Sequence, residues 1–219
     1  MPKRALIEHR PWLLASIIAA VAYFLLDVSD SALGEVWIIM VKGAGVGALA
    51  AYAAHRASGS AAWHIAAVLA LCAIADVALD LWLEIGAGIF ALAHIVAVLF
   101  YIRFPRHHST ISQKGLAAAL LFGAPAIAWF LTQDLLASVY GLTLGAMAAA
   151  AWMSRFPRYR VGIGAVLFVA SDIFIFARMG TRPEPALAAL LIWPLYYIGQ
   201  FMIATGVVQT LRHELAEED

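Results

Sequence analysis

Four long apolar stretches of the chain carry ionisable side chains where hydrocarbon should allow none: Lys42, Asp76 with Asp80, His94, and Asp172. A charge at the centre of a bilayer costs about 2.5–3.5 kcal/mol even on the lenient insertion scale. Leaving all of them toward lipid would cost on the order of 10 kcal/mol, comparable with the whole net stability of a domain. These side chains must therefore face one another, or a wet hollow, inside a helix bundle. An acid, a base and a cation gathered in such an interior have the makings of an active site or an ion path.

The surrounding sequence fits that reading. Of the 219 residues, 64% are hydrophobic and 13% charged, with a mean hydropathy of +0.87. A soluble domain would not be so apolar. The expected fold is all-α: a polytopic membrane bundle of eight transmembrane helices forming a single domain over 1–219. Hydropathy places the spans at about 11–27, 36–54, 62–82, 86–102, 115–131, 135–153, 161–178 and 186–208. Lys3, Arg4 and Arg10 precede the first apolar segment as in a signal peptide. The segment has no convincing cleavage motif and reads as the first membrane helix. The connections are short, and the Ala-rich tract 146–151 and Gly43, Gly45 and Gly47 suit close helix packing.

Of the 14 Lys and Arg residues, all but Lys42, Arg178 and Arg182 fall at the N-terminus, near Arg56, in the 103–114 and 155–160 loops, or at Arg212. The positive-inside rule then puts both termini in the cytoplasm. The opposite face carries Asp27, Asp30, Glu35, Glu84, Asp134 and Glu184. Trp12, Trp63 and Trp152 fall at the expected cytoplasmic ends and Trp37, Trp82 and Trp129 at the outer ends, as an aromatic belt requires. Trp193 falls inside the last span, where it either lines the interior site or fills core. Short loops and Ala-rich helices suggest a bacterial inner membrane. The net charge of zero argues against a nucleic-acid partner, and Cys72, the sole cysteine, excludes an intramolecular disulfide and a cysteine metal site.

On this span list Lys42 lies about two turns in from the outer surface. Asp76 occupies the outer half of its helix, with Asp80 one turn nearer that surface on the same face. His94 and Asp172 lie near mid-membrane, with Tyr196, Tyr197 and Gln200 at similar depth. Each has a plainer reading: Lys42 as a neutralising partner, Asp80 as a solvated helix end, His94 as a packing residue, and Arg178 and Arg182 as interface anchors. Asp76 and Asp172 resist it most, because each sits well inside an apolar run. A carboxylate held ionised by Lys42 and a second, buried carboxyl holding a proton would supply a general base and a general acid. The same pair could relay protons. There is also a faint internal echo, Gly86-x-x-x-Phe90-x-x-Ala93-His94 against Gly164-x-x-x-Phe168-x-x-Ser171-Asp172. It is compatible with an inverted repeat or with chance.

Four segments taken in order resemble the motifs of the YhhN family. Ala75-Asp76-x-x-Leu79 is similar to its Gly-Asp-x-x-Leu segment, and Phe90-x-x-Ala93-His94 to its Phe-x-x-Ala-His helix. Phe168-x-x-Ser171-Asp172 resembles its Ser-Asp helix, and Tyr196-Tyr197-x-x-Gln200 its Tyr-Tyr-x-x-Gln ending. Lys42-Gly43 stands where the family commonly has Lys-Pro. Ala75 replaces a usual glycine, Ala97 stands where a tyrosine often follows the histidine, and Asp80 has no matching counterpart.

The resemblance implies a lysoplasmalogenase-like activity: hydrolysis of the vinyl ether bond of a lysophospholipid to a fatty aldehyde and a glycerophospho-alcohol. It implicates Lys42, Asp76, His94 and Asp172 in catalysis. Tyr196, Tyr197, Gln200, Ser171 and Asp80 are the expected substrate-binding residues. The expected roles are Asp172, beside His94, as proton donor and Asp76, near Lys42, as the anion that directs water, with these two roles open to exchange. No cofactor is expected, and the partners are the lysophospholipid and the bilayer. A metal held by Asp76, His94 and Asp172 is disfavoured, because catalytic zinc usually has more nitrogen or sulfur ligands. A small proton-coupled transporter and a non-catalytic lipid-binding protein remain open at this level, as does the oligomeric state.

Overall fold

A computed structural model describes residues 11–29, 33–180 and 186–218. Lys3, Arg4, Arg10, Asp30, Arg182 and Glu184 lie outside them. Among the described residues the chain is helical and without strands: α1 (Pro11–Val28), α2 (Glu35–Arg56), α3 (Ser60–Leu81), α4 (Leu83–Tyr101), α5 (Ile111–Thr132), α6 (Leu135–Met153), α7 (Ile163–Met179, entered through a π-type turn at Arg158–Gly162) and α8 (Ala186–Glu218). All eight are long and apolar enough to cross a membrane.

Successive helices pack as neighbours except α4 and α5, with more distant contacts of α2 and α3 on α8, α4 on α6, α5 on α7 and α1 on α8. The result is a closed ring, α2–α3–α4–α6–α7–α8, with α3 also meeting α8. Helix α1 lies outside it against α2 and α8, and α5 lies outside against α6 and α7. Side chains on the inner faces of the ring are thereby removed from lipid.

Local chemistry fixes several ends. Trp82 is the single residue between α3 and α4, in an extended conformation (φ −147°, ψ 97°) that ends one helix and starts the next. The tight reversal needs Gly86, where a Cβ would lie 2.4 Å from the Leu79 backbone. Thr110 and Gln113 form a reciprocal capping box that starts α5 at Ile111, four residues before the expected span. Asp134 caps α6 by accepting the Leu136 N–H at 2.9 Å. Between α7 and α8 the backbones touch: a Cβ on Gly164 would come 2.7 Å from the Gly199 carbonyl oxygen, and one on Gly199 2.6 Å from that of Gly164.

Helix α8 runs on to Glu218, beyond the expected span at 186–208. Hydropathy ends where the membrane would end, whereas the polar tail of α8 continues to satisfy its own backbone. Trp12, Trp37, Trp63, Trp82 and Trp129 are exposed toward the two ends of the bundle. Trp193 is core: it is buried, packs edge-on to Tyr23 at 4.5 Å, and donates its indole N–H to the Ala20 carbonyl at 3.0 Å.

Candidate active site in the bundle interior

The acidic and basic side chains arrive from four helices. Lys42 projects from α2, Asp76 and Asp80 from α3, His94 from α4 and Asp172 from α7, while α8 contributes Tyr196 and Gln200. Asp76, His94, Asp172 and Gln200 are each at most 3% exposed.

The carboxyl groups have tyrosine partners. Tyr196 donates its hydroxyl to Asp76 Oδ2 at 2.7 Å. Tyr140, on α6, donates to Asp172 Oδ2 at 2.6 Å. Lys42 makes its ion pair with Asp80, Nζ to Oδ1 at 2.7 Å, rather than with Asp76. Lys42 remains within electrostatic reach of Asp76. The helix face shared by the two aspartates explains the difference: Lys42 reaches the outer carboxylate, which is part-exposed, rather than pulling its charge deeper. The Lys42 ammonium also lies 5.7 Å from the centre of the Tyr23 ring.

His94 shows its protonation pattern by hydrogen-bond arithmetic. Thr143 has one hydroxyl proton and donates it to the Tyr140 carbonyl at 2.7 Å. Its oxygen can then only accept from His94 Nδ1, 3.3 Å away. A neutral His94 therefore carries its proton on Nδ1 and leaves the Nε2 lone pair bare, and that atom is buried with no partner. Gln200 Nε2 is buried without a partner as well, and the Gln200 side chain lies beside the Tyr196 hydroxyl and the Cys72 thiol.

Aromatic rings join the two carboxyl groups into one cluster. Tyr196 meets Phe168 edge to face at 5.0 Å, Phe168 meets His94 at 5.2 Å, and His94 meets Tyr140 at 5.4 Å. Phe90 touches Phe168 at 6.0 Å and Tyr196 at 5.8 Å. The corresponding positions of the sequence echo, Phe90 with His94 and Phe168 with Asp172, thus belong to the same cluster.

Two expected residues turn elsewhere. Tyr197 shares a hydrogen bond with Ser16 of α1 at 2.8 Å, and Ser16 donates to the Gly45 carbonyl at 2.6 Å. Ser171 donates to the Ile192 carbonyl at 2.9 Å, tying α7 to α8. Tyr140 and Thr143 escaped the sequence reading. Tyrosine and threonine are ordinary in membrane helices, and their partners lie on helices remote in sequence. Among the described residues no group of three or more His, Cys, Asp or Glu side chains is placed to hold a metal ion.

A family model described as YhhN family matches residues 37–207. The match runs from α2 into α8 and so includes each of the buried ionisable residues. Comparison with curated proteins and with solved structures gives no match.

Proposed function

We propose that this chain, which belongs to the YhhN family, is an intramembrane hydrolase that cleaves the vinyl ether bond of a lysophospholipid, releasing a fatty aldehyde and a glycerophospho-alcohol. The observation that carries the reading is the pair of carboxyl groups from α3 and α7, each held by a tyrosine hydroxyl in one apolar interior. A vinyl ether is hydrolysed through an oxocarbenium ion. A site for it needs a proton donor, a negative charge for the cation and a base for water. Glycoside hydrolysis uses two carboxyl groups for the same kind of cation.

Asp172 suits the donor role: its carboxyl is buried in the apolar interior with the Tyr140 hydroxyl as its hydrogen-bond partner. It gives a proton to the β-carbon of the vinyl ether, and the double bond's electron pair forms the new C–H bond. Positive charge is then shared by the α-carbon and the ether oxygen. In this reading Asp76, with Lys42 in electrostatic reach, serves as the carboxylate. Water adds to the α-carbon and gives a proton to Asp76, with the bare His94 Nε2 as the acceptor that orients it. The hemiacetal then collapses. Its hydroxyl proton returns to Asp172, the carbonyl forms, and the glycerol oxygen leaves with the proton from Asp76. Gln200, beside the Tyr196 hydroxyl, would bind the ether oxygen or the glycerol hydroxyl. The part-exposed Lys42–Asp80 pair would face the headgroup.

A proton-coupled transporter calls for helices broken at the charges. Helices α2, α3, α4 and α7, which carry them, are continuous, and this weighs against that alternative. The test offers detergent-purified protein a lysoplasmalogen and an ordinary acyl lysophospholipid, and measures aldehyde and fatty acid. Aldehyde from the first without fatty acid from the second is expected. Fatty acid alone would replace this reading with an esterase. Asp76→Asn and Asp172→Asn should each abolish turnover while leaving the elution profile unchanged, and normal turnover in either refutes the assignment.

A further inference from the structure

At the end of the bundle opposite the Lys42–Asp80 pair, the loops after α4 and α6 are fastened together. Pro105 and Ser154 form a short antiparallel bridge, with the Arg106 N–H donating to the Met153 carbonyl at 3.1 Å and the Arg155 N–H to that of Phe104 at 2.8 Å. The junction brings five arginines to this end of the bundle. Three have side-chain partners: Arg103 on His64, Arg155 on Glu214, and Arg160 on Gln209.

Arg106 and Arg158 differ. Among the described residues neither has an acidic partner, and the Nε–H of each is buried without an acceptor. Both are nonetheless held in place. Arg106 Nη2 donates to the Phe156 carbonyl at 2.8 Å. The Arg158 guanidinium lies 5.4 Å from the Trp152 ring centre, and its stem rests against Gly162, where a Cβ would come within 3.2 Å of its Cγ. Burial, and then the neighbouring Arg158 charge, push Arg106 below the ordinary arginine value. Two guanidinium groups held within electrostatic reach of each other, each with a donor unmet and, among the described residues, no acidic partner, are complementary to a phosphate oxyanion. The depth favours a lipid source, since Trp63 and Tyr159 are exposed at the same end, where an aromatic belt meets headgroups.

We propose that Arg106 and Arg158 form a seat for the phosphate of an anionic membrane phospholipid, a lipid site at the basic end of the bundle separate from the interior carboxyl cluster. The test is independent of the hydrolase reading, because it reads binding and unfolding rather than turnover. Detergent-purified wild type, Arg158→Gln, Arg106→Gln/Arg158→Gln and the same-end control Lys114→Gln are each mixed with phosphatidylglycerol, phosphatidylcholine or inorganic phosphate. Lipid retention is measured by native mass spectrometry and unfolding by a thermal melt.

Wild type and Lys114→Gln should retain phosphatidylglycerol over phosphatidylcholine and melt higher with it. Loss of one charge-assisted contact should weaken retention about tenfold in Arg158→Gln, and the double variant should lose the preference. Arg158→Gln keeps the Arg106–Phe156 bond, so it reports on binding even if the double variant folds poorly. An unchanged preference in Arg158→Gln overturns the proposal. So does an equal response to phosphatidylcholine. A full response to inorganic phosphate alone would assign the seat to a free anion instead.

Discussion

Tyr140 is the residue through which the reading of Asp172 can be tested with least disturbance. Its hydroxyl is bonded to the carboxyl, while its ring packs on His94 and Phe176. Tyr140→Phe keeps the ring and removes the hydrogen-bond donor that stabilises the Asp172 carboxylate as it gives up its proton. Aldehyde release should fall about 10–100-fold with KM little changed, as initial-rate kinetics would measure; an unchanged kcat would separate Asp172 from the reaction. The Lys42–Asp80 pair makes a second, asymmetric prediction. Lys42 is the more buried partner and Asp80 the more exposed. Asp80→Asn leaves a buried ammonium unpaired and should cost about 1–3 kcal/mol. Lys42→Gln leaves a carboxylate that water can reach and should cost under about 1 kcal/mol. Thermal melts of the two variants decide it, and the reverse order would contradict the geometry. The acids and His94 were legible in the sequence because an ionisable group inside an apolar run is costly and therefore conspicuous. The Lys42–Asp80 pairing was not, because Asp76 and Asp80 share one face and only three-dimensional reach distinguishes them.

Helices carry these residues, and the closeness of helix backbones sets their alignment. Gly164 and Gly199 permit α7 and α8 to touch, about one turn or less from Phe168, Tyr196 and Gln200 and about two turns from Ser171 and Asp172. Gly199→Ala should force the helices apart, cost about 1–3 kcal/mol and lower turnover with it. Gly88→Ala, on α4 with open space where its Cβ would go, should be neutral or stabilise by about 0.5–1 kcal/mol. Paired melts and rates check both, and a neutral Gly199→Ala would show that the contact tolerates a methyl group. Hydropathy found all eight elements because burial of apolar surface dictates where spans lie. It missed the early start of α5 and the long tail of α8 because hydrogen bonding sets those ends: the Thr110–Gln113 cap in one case, continued backbone pairing in water in the other.

The arrangement of the whole molecule was the least legible part. Short loops impose neighbours along the chain, but the closures of α4 on α6 and of α2 and α3 on α8 join segments far apart in sequence. Those closures create the interior. Its orientation in the membrane is predicted by the basic loops and can be tested cleanly, because Cys72 is buried and should give little background labelling. Glu35→Cys and His108→Cys introduce thiols at exposed positions on opposite ends. An impermeant maleimide should label Glu35→Cys on intact cells and His108→Cys only after permeabilisation; the opposite pattern would invert the topology. The packed rings of Phe90, His94, Phe168 and Tyr196 have one further consequence at this scale. They fill the space between the Asp76 and Asp172 carboxyl groups with apolar side chain. An ion arriving from the side of Asp80 would have to pass these rings before it could cross.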